Sequence, residues 1–244
     1  PPDAELLVRW VQNGIFSPRF CIHSWNDDET ANEPWMYPEA TNYIRTAIQM
    51  RYRLLPYIYG LHYNCVQNHM PMLRPLFMDH EADERCFEPS FDFMLGTDLL
   101  VANVLHQGAT ERRVYLPKNG QGWWDFDGCN FYAGGQEISL PVTLGSIPLF
   151  VRAGSLIPLG GEVRRAEQRY DKTRMWNIYP PQTGSIRASL YEDDGVSVLG
   201  TSNLQTHLVG TSDNVIINLT WTHVGDFKPL FQNIKVNLPE QEKR

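Results

Sequence analysis

The sequence predicts a mixed α/β segment at its amino-terminal end, followed by an all-β remainder. Three observations lead to this fold class. Two helical patterns flank one extended run near the start of the chain, and a series of short β-prone runs divided by Gly, Pro and Asn follows. A charged run over residues 162–172 then separates this series from a further group of strand patterns. The regular spacing of the short runs is typical of antiparallel β-sandwiches.

The first elements are a short helix and a strand. Residues 3–14 predict the helix, with Asp3 and Glu5 in its first turn, where the helix dipole favours acidic side chains. Residues 16–23 are β-prone and predict a strand. Residues 24–39 are rich in Asn, Asp, Glu and Pro and predict a loop.

A long helix is predicted over residues 40–69. Apolar residues recur there at spacings of three and four and form one stripe, which comprises Tyr43, Ala47, Met50, Leu54, Ile58, Leu61 and Cys65. Pro56 is expected to kink the helix or to end its first half, because proline lacks the N–H that the helix needs. The sequence of residues 68–71, Asn-His-Met-Pro, predicts its end.

The remainder of the chain predicts strands in two groups. The first group comprises Leu76–Met78, Leu99–Leu105, Arg113–Leu116 and Ile147–Val151. After Gly160-Gly161 the second group comprises Met175–Tyr179, Ile186–Tyr191 and Val215–Trp221. A lone strand between two helices cannot form a sheet by itself, so the strand at 16–23 is expected to belong to a larger barrel.

Charge and composition exclude several classes of function. The net charge of −7 gives no basic surface that could release counterions from phosphates, so we expect no nucleic-acid partner. No run of 18 apolar residues is present, so no membrane span is predicted. The four cysteines, which contain no C-x-x-C pair, predict no zinc site, and either buried thiols or one disulfide fits them. The compartment is left open.

A series of short motifs then occurs in a fixed order. The motifs are Glu5-Leu6 with Arg9-Trp10-Val11-Gln12, Phe16-Ser17-Pro18 with His23, Glu33-Pro34-Trp35, Arg51–Tyr57, Pro71–Phe77, Leu95-Gly96 with Asp98–Ala102, Val114–Pro117, Ile147–Gly154 and Leu190–Gly195. In these motifs and their order the chain resembles glycoside hydrolase family 31, the α-glucosidase and α-xylosidase family.

The resemblance implies a fold in three parts: the last part of a (β/α)8 barrel followed by two antiparallel β-sandwich domains. Residues 1–73 would complete the barrel, residues 74–159 would form a proximal β-sandwich, and residues 160–244 would form all or part of a distal one. In such barrels the functional residues stand at the carboxyl ends of the strands.

The resemblance also implies the chemistry, which is retaining hydrolysis of a terminal α-linked sugar by two aspartates, one nucleophile and one acid and base. Both aspartate motifs of the family precede the segment that matches Pro1. We therefore expect no catalytic residue in this chain, no metal and no cofactor. The expected partners are an α-linked oligosaccharide substrate and an upstream polypeptide that carries the rest of the barrel.

Two residues are the candidate substrate contacts. His23 ends the predicted strand and, by resemblance, would hydrogen-bond hydroxyls of the sugar, since a neutral imidazole donates from one nitrogen and accepts at the other. Trp25 would stack on a sugar face. The structural alternatives are that His23 fixes the loop that follows and that Trp25 packs within that loop. Where the family often has Arg, two residues before the histidine, this chain has Cys21, which leaves the fine specificity open.

Three acidic clusters are interpreted structurally. Residues 27–29 predict a solvated loop that could also line the rim of the pocket, and residues 79–84 predict a sandwich turn. Residues 192–195, Glu-Asp-Asp-Gly, predict a hairpin turn, with a calcium loop as the alternative.

Two alternatives to the glycosidase hypothesis remain. One keeps the family and changes the reaction, to that of an α-glucan lyase or a transglucosylase. The other is a non-catalytic carbohydrate-binding pair of β-sandwiches, for which the barrel-like first third would have no use.

Overall fold

The computed structural model describes residues 1–23, 27, 31–161, 172–197, 202–213 and 216–239 of the 244-residue chain. Its helices are α1 (Ala4–Gly14), α2 (Thr41–Asn68) and the short α3 (Leu76–Asp79), and Glu84–Phe87 form a 3-10 turn. Within these described ranges, no helix combines the length and the apolar character that a membrane span requires.

The first helix begins at Ala4, one residue later than its sequence predicts, with Asp3 as its N-cap. The carboxylate of Asp3 accepts a hydrogen bond of 2.8 Å from the backbone N–H of Leu6 and so caps α1. Leu7, Val8 and Val11 lie on the buried face of this helix. The prediction of a helix over residues 3–14 is confirmed.

The strand predicted over residues 16–23 is not formed. Phe16 lies in a turn, residues 17–19 bend, and residues 20–23 pair with no strand in the part of the chain that the structure describes. A strand exists only through the hydrogen bonds of its neighbours, and no described strand lies beside this segment. Its burial still alternates as in a strand, because Phe20 and Ile22 are partly buried whereas Cys21 and His23 are exposed.

The second helix runs for 28 residues without a break at Pro56, so the prediction that Pro56 could end its first half is wrong. Packing overrides the local cost of the proline, because Leu54, Tyr57 and Ile58 are buried around it. His69 adopts the left-handed conformation, with φ of 57°, and closes the helix where the sequence predicts its end.

Fourteen strands lie within the described residues. They are β1 (Leu73–Pro75), β2 (Phe93–Leu95), β3 (Leu99–Val101), β4 (Glu111–Leu116), β5 (Trp123–Asp125), β6 (Phe131–Tyr132), β7 (Gln136–Pro141), β8 (Leu149–Arg152), β9 (Ser155–Leu159), β10 (Thr173–Tyr179), β11 (Thr183–Asp193), β12 (Asn203–Asp213), β13 (Ile217–Gly225) and β14 (Asn233–Asn237).

These strands form four sheets. The largest has the order β1-β2-β3-β8-β5-β6 and faces the two-stranded sheet β4-β7. Beyond it, a sheet of order β14-β10-β9 faces a meander of order β11-β12-β13. The pairing of β10 with β14 is parallel, so the prediction of purely antiparallel sandwiches is wrong for this pair.

Two sequence predictions are corrected in the β region. Leu76–Met78 is not a strand but lies in α3, which follows the extended N-cap Pro75 and has Leu76 as its buried residue. The run Leu99–Leu105 forms a strand only as far as Val101. The other predicted strands are present, except that Val215 lies outside the described residues.

One core joins the helices to the six-stranded sheet. Leu99 and Val101 of β3 pack in the same cluster as the buried residues of α1 and α2, and Leu100 between them points to the opposite face, toward β4 and β7. Leu149, Val151 and Phe150 of β8 divide between the two faces in the same way. The sheet is therefore covered on both sides.

A carboxylate ties α2 to this sheet and to β9. Asp98 accepts a 2.8 Å hydrogen bond from the Ser155 hydroxyl and lies 3.3 Å from the Tyr57 hydroxyl. Tyr57 also donates to the carbonyl of Leu95, at 2.8 Å. Burial raises the pKa of Asp98, against the opposing effects of the Ser155 hydrogen bond and of nearby Arg152.

The raised pKa of Asp98 makes a prediction about pH. A carboxyl whose pKa is higher in the folded state contributes stability that is fully present below the unfolded pKa, about 4, and is lost as the pH rises through the folded value. Asp98→Asn does not titrate at this position. We therefore expect the melting temperature of the variant to rise relative to that of the native protein between pH 4 and pH 7. Asp226→Asn, at an exposed aspartate, is the control for the loss of one charge. If the difference in melting temperature between Asp98→Asn and the native protein stays constant or falls over this pH range, the raised pKa of Asp98 is contradicted.

Candidate substrate-contact segment and the surfaces that hold it

The segment that leads to His23 is anchored at its start and exposed at its end. Ile15 and Phe16 are fully buried, and Phe20 and Ile22 pack against the core shared by α1 and α2. Cys21 and His23 face away from this core and are exposed. The two side chains therefore lie on the side of the segment that is opposite to the helices.

Arg51 of α2 donates hydrogen bonds to backbone carbonyls at the start of this segment. Its Nη1 donates to the carbonyls of Ile15 and Ser17, at 2.5 and 2.8 Å, and its Nη2 donates to that of Pro18, at 3.1 Å. The guanidinium carbon also stands 5.6 Å from the centre of the Phe20 ring. Burial lowers the pKa of Arg51. Sequence reasoning placed Arg51 in a motif but found no role for it, because its acceptors are backbone atoms.

The second candidate contact, Trp25, lies outside the described residues, as do Asp28 and Glu29 of the predicted acidic loop. Asp27 is described and is exposed, as expected for a solvated loop. The joint role of His23 and Trp25 at one sugar therefore stays a prediction.

The acidic cluster at residues 192–195 lies at a hairpin, as the sequence predicts, but Glu192 and Asp193 belong to β11 and only Asp194 and Gly195 lie in its connection to β12. β11 ends at Asp193, which lies opposite Asn203 of β12. The Asp194 carboxylate accepts from the backbone N–H groups of Val196 and Ser197, at 2.9 and 2.8 Å, and the hydrogen bonds of Ser197 lower its pKa to about 2.

The calcium alternative for this turn gains no support. Its carboxylates are occupied, and in the part of the chain that the structure describes no group of three or more His, Cys, Asp and Glu side chains could hold a metal ion. Glu192 pairs with Arg174, at 2.9 Å, and Asp193 accepts from Tyr59, Tyr191 and the N–H of Gly195.

These contacts dock the distal meander on α2. Tyr59 donates to Asp193 at 2.6 Å, and Tyr63 stacks on Tyr191 with ring centres 3.8 Å apart and planes within 10° of parallel. Burial and the hydrogen bond to Asp193 raise the pKa of Tyr191 to about 12. A cavity of about 540 Å³ lies beside this contact, lined mainly by α2, the 192–195 turn and residues 227–231.

The other acidic cluster, at residues 79–84, is structural. Asp79 pairs with Arg74, at 2.9 Å, and Asp83 accepts from the Tyr115 hydroxyl and the N–H of Lys118, at 2.7 and 2.8 Å. This cluster runs from the last residue of α3 to the first residue of the 3-10 turn, and Asp83 links it to β4 through Tyr115.

The cysteines form no disulfide. Only Cys86 is buried, whereas Cys65 is half-buried and Cys21 and Cys129 are exposed, so the interpretation of all four as buried thiols is wrong. Cys21 is exposed because it shares the outward side of its segment with His23.

Comparison with known protein families identifies the family of this chain. The model of the glycosyl hydrolases family 31 TIM-barrel domain matches residues 1–61, and that of the glycosyl hydrolase family 31 C-terminal domain matches residues 69–157. Together the two matches cover more than half of the chain. The chain belongs to glycosyl hydrolase family 31.

Individual relatives agree with this assignment. Neutral alpha-glucosidase AB of Homo sapiens is 38% identical over 208 residues, which are 84% of this chain and 21% of the relative. The alpha-xylosidase of Saccharolobus solfataricus is 36% identical over 80% of this chain and 26% of its own length. The chain thus spans about a fifth to a quarter of the length of these curated relatives.

Solved structures of the family share the fold. The Flavobacterium johnsoniae GH31 dextranase, complexed with glucose, superposes with a TM-score of 0.81 at 32% identity, covering 88% of this chain and 27% of that chain. The GH31 alpha-xylosidase of Xanthomonas citri gives a TM-score of 0.82 at 30% identity, covering 97% of this chain and 26% of that chain. The family 31 chain therefore contains the end of a TIM barrel and the β domain that follows it.

The stacking of α2 on the distal meander of this family 31 chain can be tested by a double-mutant cycle. Tyr63→Leu and Tyr191→Leu should each lower the free energy of unfolding. Their coupling energy should be about 0.5–1.5 kcal/mol, since aromatic pairs contribute about this much beyond the area they bury. Urea unfolding of the single and double variants measures it.

The control cycle pairs Tyr43→Leu with Tyr191→Leu, because Tyr43 lies on the same helix and is exposed. We expect no coupling for that pair. Additive effects of Tyr63 and Tyr191 would show that the stack does not carry the contact between α2 and the meander.

Proposed function

We propose that this chain is the carboxyl-terminal portion of a retaining α-glycosidase, similar to α-glucosidases, that hydrolyses terminal non-reducing α-linked sugars. The names of its relatives support this proposal, since they are neutral alpha-glucosidases and alpha-xylosidases. A GH31 dextranase of similar fold, studied with isomaltotriose, supports an α-linked oligosaccharide as the substrate.

One observation supports a role for a single residue, His23. Phe20 and Ile22 pack toward the helices, and Cys21 and His23 face the other way. In a (β/α)8 barrel one side of each strand packs on the helices, and the other side faces the barrel interior. On this basis His23 faces the barrel interior at the carboxyl end of its segment, where these barrels place substrate.

In this proposal His23 and Trp25 are the substrate contacts that the chain contributes. The imidazole of His23 donates to one sugar hydroxyl and accepts from its neighbour. Trp25 offers its ring to a sugar face. The nucleophile and the acid, two carboxyl groups about 5–5.5 Å apart in retaining enzymes, stand on the upstream part of the protein.

The proposal divides the chain into three parts. Residues 1–73 complete the barrel, residues 74–159 form the proximal sandwich, and residues 160–244 form the distal one. β9 pairs with β10 in the sheet of the second sandwich, so the strand Ser155–Leu159 belongs to that sheet although it precedes residue 160.

The partner of this chain is the remainder of the barrel. Leu6 and Trp10 stand one turn apart on the outer face of α1 and are 54% and 64% exposed, and Trp35 is 67% exposed. Exposed apolar side chains in this number on one segment indicate a surface that another part of the protein covers. Preceding elements of the barrel would cover them.

Replacement of His23 tests the substrate contact. In the intact enzyme His23→Ala should lower kcat/KM for an aryl α-glucoside by about 10- to 100-fold, which corresponds to the loss of one or two hydrogen bonds to substrate. His62→Ala is the control, because His62 is an exposed histidine on α2. An unchanged kcat/KM for His23→Ala would remove His23 from the substrate site.

Isolation of the chain tests the position of the catalytic residues. Residues 1–244 alone should give no turnover of the aryl α-glucoside, and activity should appear when the upstream polypeptide is associated. Intact-mass analysis of active material should then find both polypeptides. Turnover by the isolated chain would contradict the proposal that the aspartates lie upstream.

A further inference from the structure

We propose that Arg51 is a positioning residue for His23, in that its guanidinium fixes the backbone that presents the imidazole to substrate. This inference deepens the proposed role of His23 and rests on it. It assigns a function to a side chain of α2 that itself does not reach the exposed side of the segment.

The first step of the argument is the pattern of hydrogen bonds. Three carbonyls within four residues, those of Ile15, Ser17 and Pro18, accept from the two terminal nitrogens of Arg51. Among the backbone hydrogen bonds of the described residues, none reaches these three oxygens. The guanidinium thus takes the place of the neighbouring strand that would otherwise hold the segment.

The second step is the packing of Phe20, which follows the anchored carbonyls. Its ring lies 5.6 Å from the Arg51 guanidinium. The ring also lies so close to Gly14 that a Cβ added there would stand 3.0 Å from Cδ2 of Phe20. The ring is therefore held between α2 and the end of α1.

The third step is the short distance along the chain to the imidazole. His23 is three residues beyond Phe20, and three residues span at most about 10 Å. Ile22, between them, packs against the core. With Phe20 and Ile22 fixed, the direction of His23 follows from the alternation of the backbone.

The chemistry requires arginine at this position. The guanidinium presents five donors in a rigid planar fork, whereas lysine offers a compact ammonium on a flexible stem. A lysine at position 51 could keep one of the three carbonyl contacts and would leave the other oxygens of the segment without a donor.

A double-mutant cycle in the intact enzyme tests the inference. Arg51→Ala should lower kcat/KM for the aryl α-glucoside by about 10- to 100-fold, the cost of misplacing a substrate contact by about 1 Å. Arg51→Lys should fall between Arg51→Ala and the native enzyme. In the His23→Ala background, Arg51→Ala should change kcat/KM by less than about twofold, because residues that act through one another are not additive.

Arg45→Ala is the matched control, because Arg45 lies on the same helix, is exposed and bonds only to the Asn42 side chain among the described residues. It should leave kcat/KM unchanged. Hydrogen exchange gives a readout that does not depend on activity, and the amides of residues 19–23 should exchange faster in both Arg51 variants than in Arg45→Ala. If Arg51→Ala does not fold, Arg51→Lys provides the same comparisons.

The outcomes separate this inference from the proposed function. Two results overturn the role of Arg51 and leave that of His23 intact, provided that His23→Ala lowers kcat/KM. One is that the losses of the two single variants multiply in the double variant. The other is that Arg51→Lys and Arg51→Ala keep native kcat/KM. Native activity in His23→Ala overturns the proposed substrate contact and, with it, this inference. Loss in both single variants without further loss in the double variant supports the positioning role.

Discussion

The packing of α2 is the constraint on which the rest of this structure depends. Along one helix, Arg51 holds the segment that ends at His23, Tyr57 reaches the Asp98 junction with the six-stranded sheet, and Tyr63 stacks on the distal meander. The N–H of Gly160 adds a backbone contact to the carbonyl of Arg53, at 2.8 Å. Because α2 contacts both β layers and the segment that carries the candidate substrate contact, it fixes the position of that segment relative to the layers.

In the proposed glycosidase, this arrangement gives the β domains a supporting role. Several carboxylates of the described β region make structural hydrogen bonds, among them Asp83, Asp98 and Asp193. A substrate contact needs its supporting residues fixed to within a fraction of an ångström. The sandwiches supply that support through α2, and the proposed chemistry belongs to the barrel.

The sequence predicts those elements whose causes are local. Acidic residues near the start and an apolar stripe are enough to place α1 and α2, although Asp3 is the N-cap of α1 and Tyr43 of the stripe is exposed. Short β-prone runs predict β3, β4, β8, β10, β11 and β13, whereas the other eight of the fourteen described strands are not predicted. The strand at 16–23 is predicted but not formed, because a strand depends on neighbours that local patterns do not contain. Leu76–Met78 is apolar enough for a strand and becomes helical after Pro75, where propensity gives no clear choice in so short a run.

The candidate functional contacts are harder to predict than the elements. The motif around His23 marks it as a candidate, yet Arg51 donates to backbone carbonyls about 35 positions away, and no residue type in the sequence marks such acceptors. The contact of Tyr59 with Asp193 joins positions 134 residues apart. The turn at 192–195 could be recognised as a turn, but its function in docking the meander on α2 depends on the tertiary fold.

Native-state hydrogen exchange of α2 in the intact protein tests the central claim most directly. If α2 is the element that holds the layers together, its amides between Ile44 and Cys65 should exchange only with the opening of the six-stranded sheet, at the same free energy as β3 and β8. Exchange of these amides through a separate opening of lower free energy, while β3 and β8 remain protected, would contradict the claim that the layers depend on this helix.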